Sequence, residues 1–325
     1  MNEVRVGRTD LFAPRIGLGT AALGNFQRAI SDADAIAVVE HALERGLRYL
    51  DTAPLYGHGL AEQRVGRAVA AAARDELVIS TKVGRLLRPD APRDETQYHD
   101  GVPFYVDVPP VGPVWDFSYD GVRRSVEESL QRTGLERFDV LLMHDPDDHL
   151  SEAATTGYAA LRDLREAGLV RAIGAGMNHS APLAELVRSC DLDVVLLAGR
   201  YTLLDQSAMA DLLPACEERE VSVVIGGVFN SGVLVDPAPG ASFDYIPARD
   251  EVVAKALAIQ DVCRKYDVPL AAAALQFPLA HPRVSTVLIG ARTVAELDDD
   301  LALLDVEIPP ALWADLRNAG LIHAG

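Results

Sequence analysis

Short apolar runs recur along the chain, and the longer stretches between them carry apolar residues at helical spacing. The runs predict strands near residues 15–20, 47–52, 77–82, 139–144, 170–176, 194–199, 221–226 and 285–289. The intervening stretches predict helices. SDADAIAVVEHALERG is opened by an N-cap serine, Ser31, and both it and SYDGVRRSVEESLQRTG are closed by a glycine. Eight strand–helix units predict an α/β fold of the (β/α)8 TIM-barrel type. A doubly wound sheet is the alternative. It usually carries GxGxxG after its first strand, and RIGLGTAALGNF does not follow that spacing. Residues 3–10 read as a short N-terminal β-hairpin that plugs the barrel bottom.

Two segments break the rhythm. Residues 84–117 contain six prolines, and residues 229–249 include Pro237, Pro239 and Pro247. Both follow predicted strands, so both belong on the face that carries the strand carboxyl ends, where barrel chemistry resides. They are expected to wall a substrate pocket. No linker or internal repeat is visible, and one barrel over residues 1–325 accounts for the length.

Polar residues at the ends of the apolar runs carry the candidate chemistry. Asp51 and Tyr56 lie in LRYLDTAPLYG, Lys82 in LVISTKVG and His144 in VLLMHDPD. A tyrosine hydroxyl works as a general acid or base when an ammonium beside it stabilises the phenolate. A carboxylate then holds the ammonium, and an imidazole orients the substrate oxygen. Each residue alone has an ordinary structural reading, as a core tyrosine, a solvated strand end or a turn cap. Taken together, in this order and with the family pattern that they resemble, the catalytic reading is favoured. HDPDDH also offers donor types for a metal, but no second cluster completes such a site, so no metal is expected and His144 is read as a substrate ligand.

These segments resemble the aldo-keto reductase family over nearly the whole chain, in the order RIGLGTAALG, DTAPLYG, TKVG, LLMHDPD, GLVRAIGAGMNHS and VLIGARTVAELDDDL. WDFSYDGVRRSVEESLQRTGLERFDVLLMHDPD is most similar to the family's branch of sugar 1-dehydrogenases and pyridoxal dehydrogenases. The resemblance implies a Tyr56, Lys82, Asp51 and His144 tetrad that transfers a hydride between a nicotinamide cofactor and a sugar, oxidising C1 to a lactone. Pyridoxal oxidation and general aldehyde or ketone reduction are its alternatives. A nicotinamide-binding regulatory subunit is the alternative outside enzymes. The resemblance also implies that Gly19, Thr20, Asn178, Phe229, Gly290, Arg292, Thr293 and Glu296 contact the cofactor, and that His144 and Asp145 contact the substrate. Trp115 is read as a substrate contact from the aromatic content of residues 84–117, with a ring that only pins this loop to the barrel as the alternative. Glu296 stands where the family usually has an arginine, which leans toward NAD over NADP.

Composition changes the picture only by exclusion. The net charge of −18, from 48 acidic and 30 basic residues, disfavours nucleic acid and anionic membrane surfaces as partners. No apolar run reaches membrane-spanning length, and no signal-peptide pattern opens the chain. Cys190, Cys216 and Cys263 form no CxxC pattern and read as reduced thiols of a cytoplasmic protein. The expected partners are a small sugar or aldehyde and at most a few copies of the chain itself, as a monomer or small homo-oligomer.

Overall fold

The computed structural model describes residues 3–323, apart from the side chain of Thr96. Eight parallel strands close into a barrel in chain order: β1 (Ile16–Gly19), β2 (Tyr49–Asp51), β3 (Val78–Val83), β4 (Val140–His144), β5 (Ala172–Met177), β6 (Val194–Ala198), β7 (Ser222–Gly226) and β8 (Val284–Ile289). Each predicted strand is present, with its ends moved by at most two residues. The barrel confirms the α/β class and rules out the open doubly wound sheet.

Side-chain alternation decides what each strand offers. Val140 and Leu142 of β4, Val78 of β3 and Tyr49 of β2 pack in the barrel interior with Val194, Leu196, Val224 and Leu288. Leu141, Met143, Ile79, Leu50 and Val195 face the surrounding helices. The inward phase, continued two residues at a time, carries Asp51, Ser80, Lys82 and His144 toward the barrel mouth.

Helix ends follow local chemistry. Ser31 caps α1 (Asp32–Glu44) by accepting from the Asp34 N–H, and Gly46 leaves the helix at φ 84°. Ser118 caps α3 (Tyr119–Thr133) in the same way, a signal the sequence reading passed over, and Gly134 ends it. Between them lies α2 (Leu60–Val69), and α4 (Tyr158–Glu166), α5 (Ser180–Ser189) and α6 (Leu212–Arg219) continue around the barrel. After β7 come α7 (Asp250–Arg264) and α8 (Leu270–Gln276), and α9 (Val294–Ala302) follows β8. Leu312 and Leu316 of α10 (Pro310–Asn318) join Ile259 and Val262 of α7 in a second core cluster.

The N-terminal hairpin is longer than its predicted span of residues 3–10. It pairs Glu3–Arg5 with Phe12–Pro14. Val6 and Leu11 are buried against the barrel interior, and the Gly7 N–H donates to Ser222 Oγ at the start of β7 across 2.7 Å. The hairpin therefore does close the barrel bottom.

The two irregular segments are not structureless. Arg85–Arg88 pairs with Gly112–Trp115, Tyr98–His99 with Val102–Pro103, and Ser242–Phe243 with Ile246–Pro247. Strands of two to four residues interrupted by proline leave no detectable period. Gly84 opens the first segment at φ 94°, and a Cβ there would lie 2.0 Å from the Phe117 ring, so both the backbone and the space require glycine.

Candidate active site

Tyr56 sits in the turn after β2. The backbones of Gly57 and Gly24 meet there: Gly57 has φ 64°, and a Cβ on it would lie 2.3 Å from the Gly24 carbonyl oxygen. This contact locks the turn against the loop that follows β1. Lys82 projects inward from β3 and donates to Asp51 Oδ2 at 2.6 Å and to the Thr52 carbonyl at 3.1 Å. Ser80 Oγ donates to the other Asp51 oxygen at 2.6 Å. Both carboxylate oxygens are thus engaged inside the barrel, as a buried charge requires. The Lys82 ammonium lies 4.6 Å from the centre of the Tyr56 ring, and the His144 ring stands edge-on to it at 5.9 Å. The four tetrad residues, from three strands and a turn, come together at the barrel mouth.

The electrostatics differ from the expectation that Lys82 depresses the Tyr56 pKa. The Tyr56 ring keeps one edge open to the cavity, yet protein surrounds it closely enough that burial raises its pKa well above 10, with Asp51 and Asp145 adding to the rise. The cation that opposes this is Arg85. The hydroxyl is therefore protonated in the protein by itself. Burial, with Arg85 and Lys82, pushes His144 well below 6.5, so its imidazole is neutral. Among the described residues its Nδ1 is buried without a hydrogen-bond partner, and its Nε2 lies 3.5 Å from Asp145 Oδ2.

Above the tetrad lies a cavity of about 210 Å³. Asp145, Asn178 and Gln97 supply polar groups, and Phe26, Phe104, Tyr105 and Tyr245 supply aromatic faces. Residues 84–117 and 229–249 both contribute to this wall. Trp115 does not line it. Its ring stacks on the Arg85 guanidinium at 3.9 Å and lies near Phe117 and His149, because its strand pairs with Arg85–Arg88 beneath the wall. A direct substrate contact by Trp115 is therefore corrected to support of Arg85. The polar residues of HDPDDH diverge: His149 packs on Trp115, and Asp147 bonds His179.

A groove of about 430 Å³ continues from Tyr56 to the end of β8. Gly19, Thr20, Phe229, Gly290 and Arg292 all line it, together with Gly226, Gly227 and Ser231. Asn178 lines the cavity instead. Thr293 and Glu296 lie outside the groove lining, at the start of α9, where Thr293 Oγ accepts from the Glu296 N–H and Glu296 Oε2 accepts from the Arg292 N–H. The groove suits an extended nucleotide. Its glycines leave backbone within reach, and Arg292 Nε is buried without a hydrogen-bond partner among the described residues. Phe26, Arg85, Gln97 and Tyr245 were missed in the sequence. None sits at the end of an apolar run, and only aromatic content in proline-rich segments hinted at Tyr245.

The comparisons agree with this arrangement. The sequence profile described as the Aldo/keto reductase family matches residues 15–320. The chain is 43% identical to D-threo-aldose 1-dehydrogenase of Pseudomonas sp over 98% of both chains. It is 39% identical to pyridoxal 4-dehydrogenase of Microbacterium luteolum over 98% of this chain and 97% of that one. Among solved structures, an aldo-keto reductase from Bacillus halodurans in its holo form superposes with a TM-score of 0.77 at 25% identity, over 100% of this chain and 97% of that one. No helix among the described residues is long and apolar enough to cross a membrane. Barrel, tetrad and sequence similarity lead to one conclusion: the chain belongs to the aldo/keto reductase family and is an oxidoreductase, in a family whose members use NAD(P).

Proposed function

We propose that the protein is an NAD-linked sugar 1-dehydrogenase of the cytoplasm that works as one barrel domain and oxidises C1 of an aldose to a lactone. The observation that carries this reading is the cavity beside Tyr56. Aromatic faces from Phe26, Phe104 and Tyr245 share it with Asp145 and His144, which suits a ligand with apolar C–H faces and a rim of hydroxyls. The similarity to D-threo-aldose 1-dehydrogenase supports the same substrate class. Gly19, Thr20, Phe229, Gly290 and Arg292 would hold the cofactor in the groove, with Asn178 toward its reactive ring.

A nicotinamide held there would supply the hydride acceptor, and in its oxidised form would add positive charge to that of Lys82 and Arg85. Neutral His144 orients the anomeric oxygen. Tyr56 Oη, after releasing its own proton to solvent, would take the anomeric hydroxyl proton while the C1 hydride would pass to the bound nicotinamide, leaving the lactone carbonyl. In reverse, the protonated Tyr56 donates to the carbonyl oxygen, and its raised pKa favours that direction at neutral pH. NAD is preferred because Glu296 already occupies the Arg292 amide at the start of α9, and its carboxylate repels a 2′-phosphate. Pyridoxal is the second reading, since the aromatic wall also suits a flat pyridine ring and the Microbacterium relative is named for it.

The test is cofactor reduction with NAD and NADP against aldoses of both enantiomeric series, pyridoxal and simple alcohols. Highest kcat/KM on an aldose with NAD is expected. A dominant rate on pyridoxal, or none on any aldose, overturns the sugar assignment.

A further inference from the structure

His144 and Asp145 are consecutive, and in a continued strand their side chains would point to opposite faces. They do not, because the backbone turns at Asp145. Its φ is 41°, in the left-handed region that Asp tolerates better than most residues. The Asp145 N–H donates to the Gly176 carbonyl at 2.9 Å and pins the turn. The Asp145 carboxylate thereby reaches the same cavity as His144, with Oδ2 3.5 Å from His144 Nε2. Arg85 stands behind it. Its guanidinium is buried, lies flat on Trp115 at 3.9 Å and donates to Asp145 Oδ2 at 2.8 Å. Among the described residues the Arg85 Nε and Nη1 are buried with no hydrogen-bond partner, Asp145 is in direct ionic contact with Arg85, and Asp94 adds a further negative charge nearby. Asp145 Oδ1 accepts no hydrogen bond from any described residue, which leaves it open to a ligand in the cavity.

An imidazole N–H and a carboxylate at this separation match two oxygens on adjacent carbons. Building on the oxidoreductase reading above, we propose that Asp145, held by Arg85, is a second substrate anchor that accepts the hydroxyl on the carbon next to the reacting one. His144 takes the reacting oxygen and Asp145 its neighbour. The enzyme then selects 2-hydroxy carbonyl compounds, and sugars with a free 2-hydroxyl, over analogues that lack it. Arg85 is a positioning residue. It fixes the carboxylate and opposes the rise in pKa that burial imposes on it, without reaching the substrate.

The experiment compares kcat/KM for reduction of 2-hydroxypropanal and of propanal, with the preferred reduced cofactor, in wild type, Asp145→Asn and Arg85→Met. A hydrogen bond to a charged acceptor predicts a wild-type ratio of about ten- to a hundredfold in favour of the hydroxy compound. Both variants lower that ratio toward one, and the double variant lowers it no further than the stronger single one, since the residues act as a unit. A merely structural loss scales both substrates alike and leaves the ratio in place. Thermal melting establishes that each variant is folded. Should Arg85→Met fail to fold, the wild type and Asp145→Asn decide alone. A wild-type ratio near one, or an unchanged ratio in folded Asp145→Asn, overturns the anchor while the oxidoreductase reading stands. Absence of turnover on both aldehydes overturns the anchor, and absence of turnover on every aldose as well overturns the sugar reading on which it rests.

Discussion

The Lys82 ammonium and the Asp51 carboxylate face each other across 2.6 Å inside the barrel, both almost fully buried. A pair this deep is costly to break, because the remaining charge has no water to turn to. Lys82→Met is expected to lower unfolding free energy by roughly 3–5 kcal/mol, and the added change Asp51→Asn to restore part of it while activity stays lost. Denaturant unfolding of the two variants checks this. Equal stability of Lys82→Met and wild type would remove the pair from the stability account.

Tyr56→Phe deletes the hydroxyl proposed to move the proton and leaves the ring in contact with Lys82. Its kcat is expected to fall at least about 10²- to 10⁴-fold, with cofactor affinity unchanged. Steady-state kinetics and cofactor titration by fluorescence measure the two separately. A near wild-type kcat in the folded variant would assign the proton transfer elsewhere.

Asp300 on α9 is half-buried, and burial, with Glu296 and then Asp299, pushes its pKa up to about 6. A folded pKa above the unfolded value favours the fold below the unfolded pKa, and that contribution is lost as pH rises through about 6. Asp300→Asn is therefore expected to stabilise the protein at pH 7.5, by on the order of 1 kcal/mol once solvent screening is allowed for, and to change little near pH 4. Melting temperatures at the two pH values decide it, and an equal shift at both would exclude titration as the cause.

The Glu296 carboxylate accepts from the Arg292 amide at 2.7 Å. Replacing it with Arg removes a negative charge and adds a positive one at the same helix start. Glu296→Arg is expected to narrow the preference for NAD by raising kcat/KM with NADP about tenfold or more, since a single charge-assisted bond is worth that much. Kinetics with both cofactors test it. An unchanged ratio would mean that Glu296 takes no part in discrimination.

Chain pattern alone determined the barrel and the inward placement of Asp51, Lys82 and His144, because these are written in local periods, whereas Tyr56 lies in a turn and was singled out through the family resemblance. A strand buried on both faces reads as an apolar run, and Asp51, Lys82 and His144 each end such a run in the inward phase. Ser31 marked its helix start through a bond only three residues long. The tertiary structure alone decided the rest of the cavity. Phe26, Tyr105 and Tyr245 meet there from three loops remote in sequence, and no local period can encode a contact made by closing loops over a barrel mouth. Trp115 looked like a pocket aromatic from its segment, and only the pairing of Arg85 with Trp115 shows that its ring supports the guanidinium instead. The protonation of Tyr56 was equally beyond the sequence. It depends on how much protein surrounds the hydroxyl, and burial there outweighs the nearby positive charge.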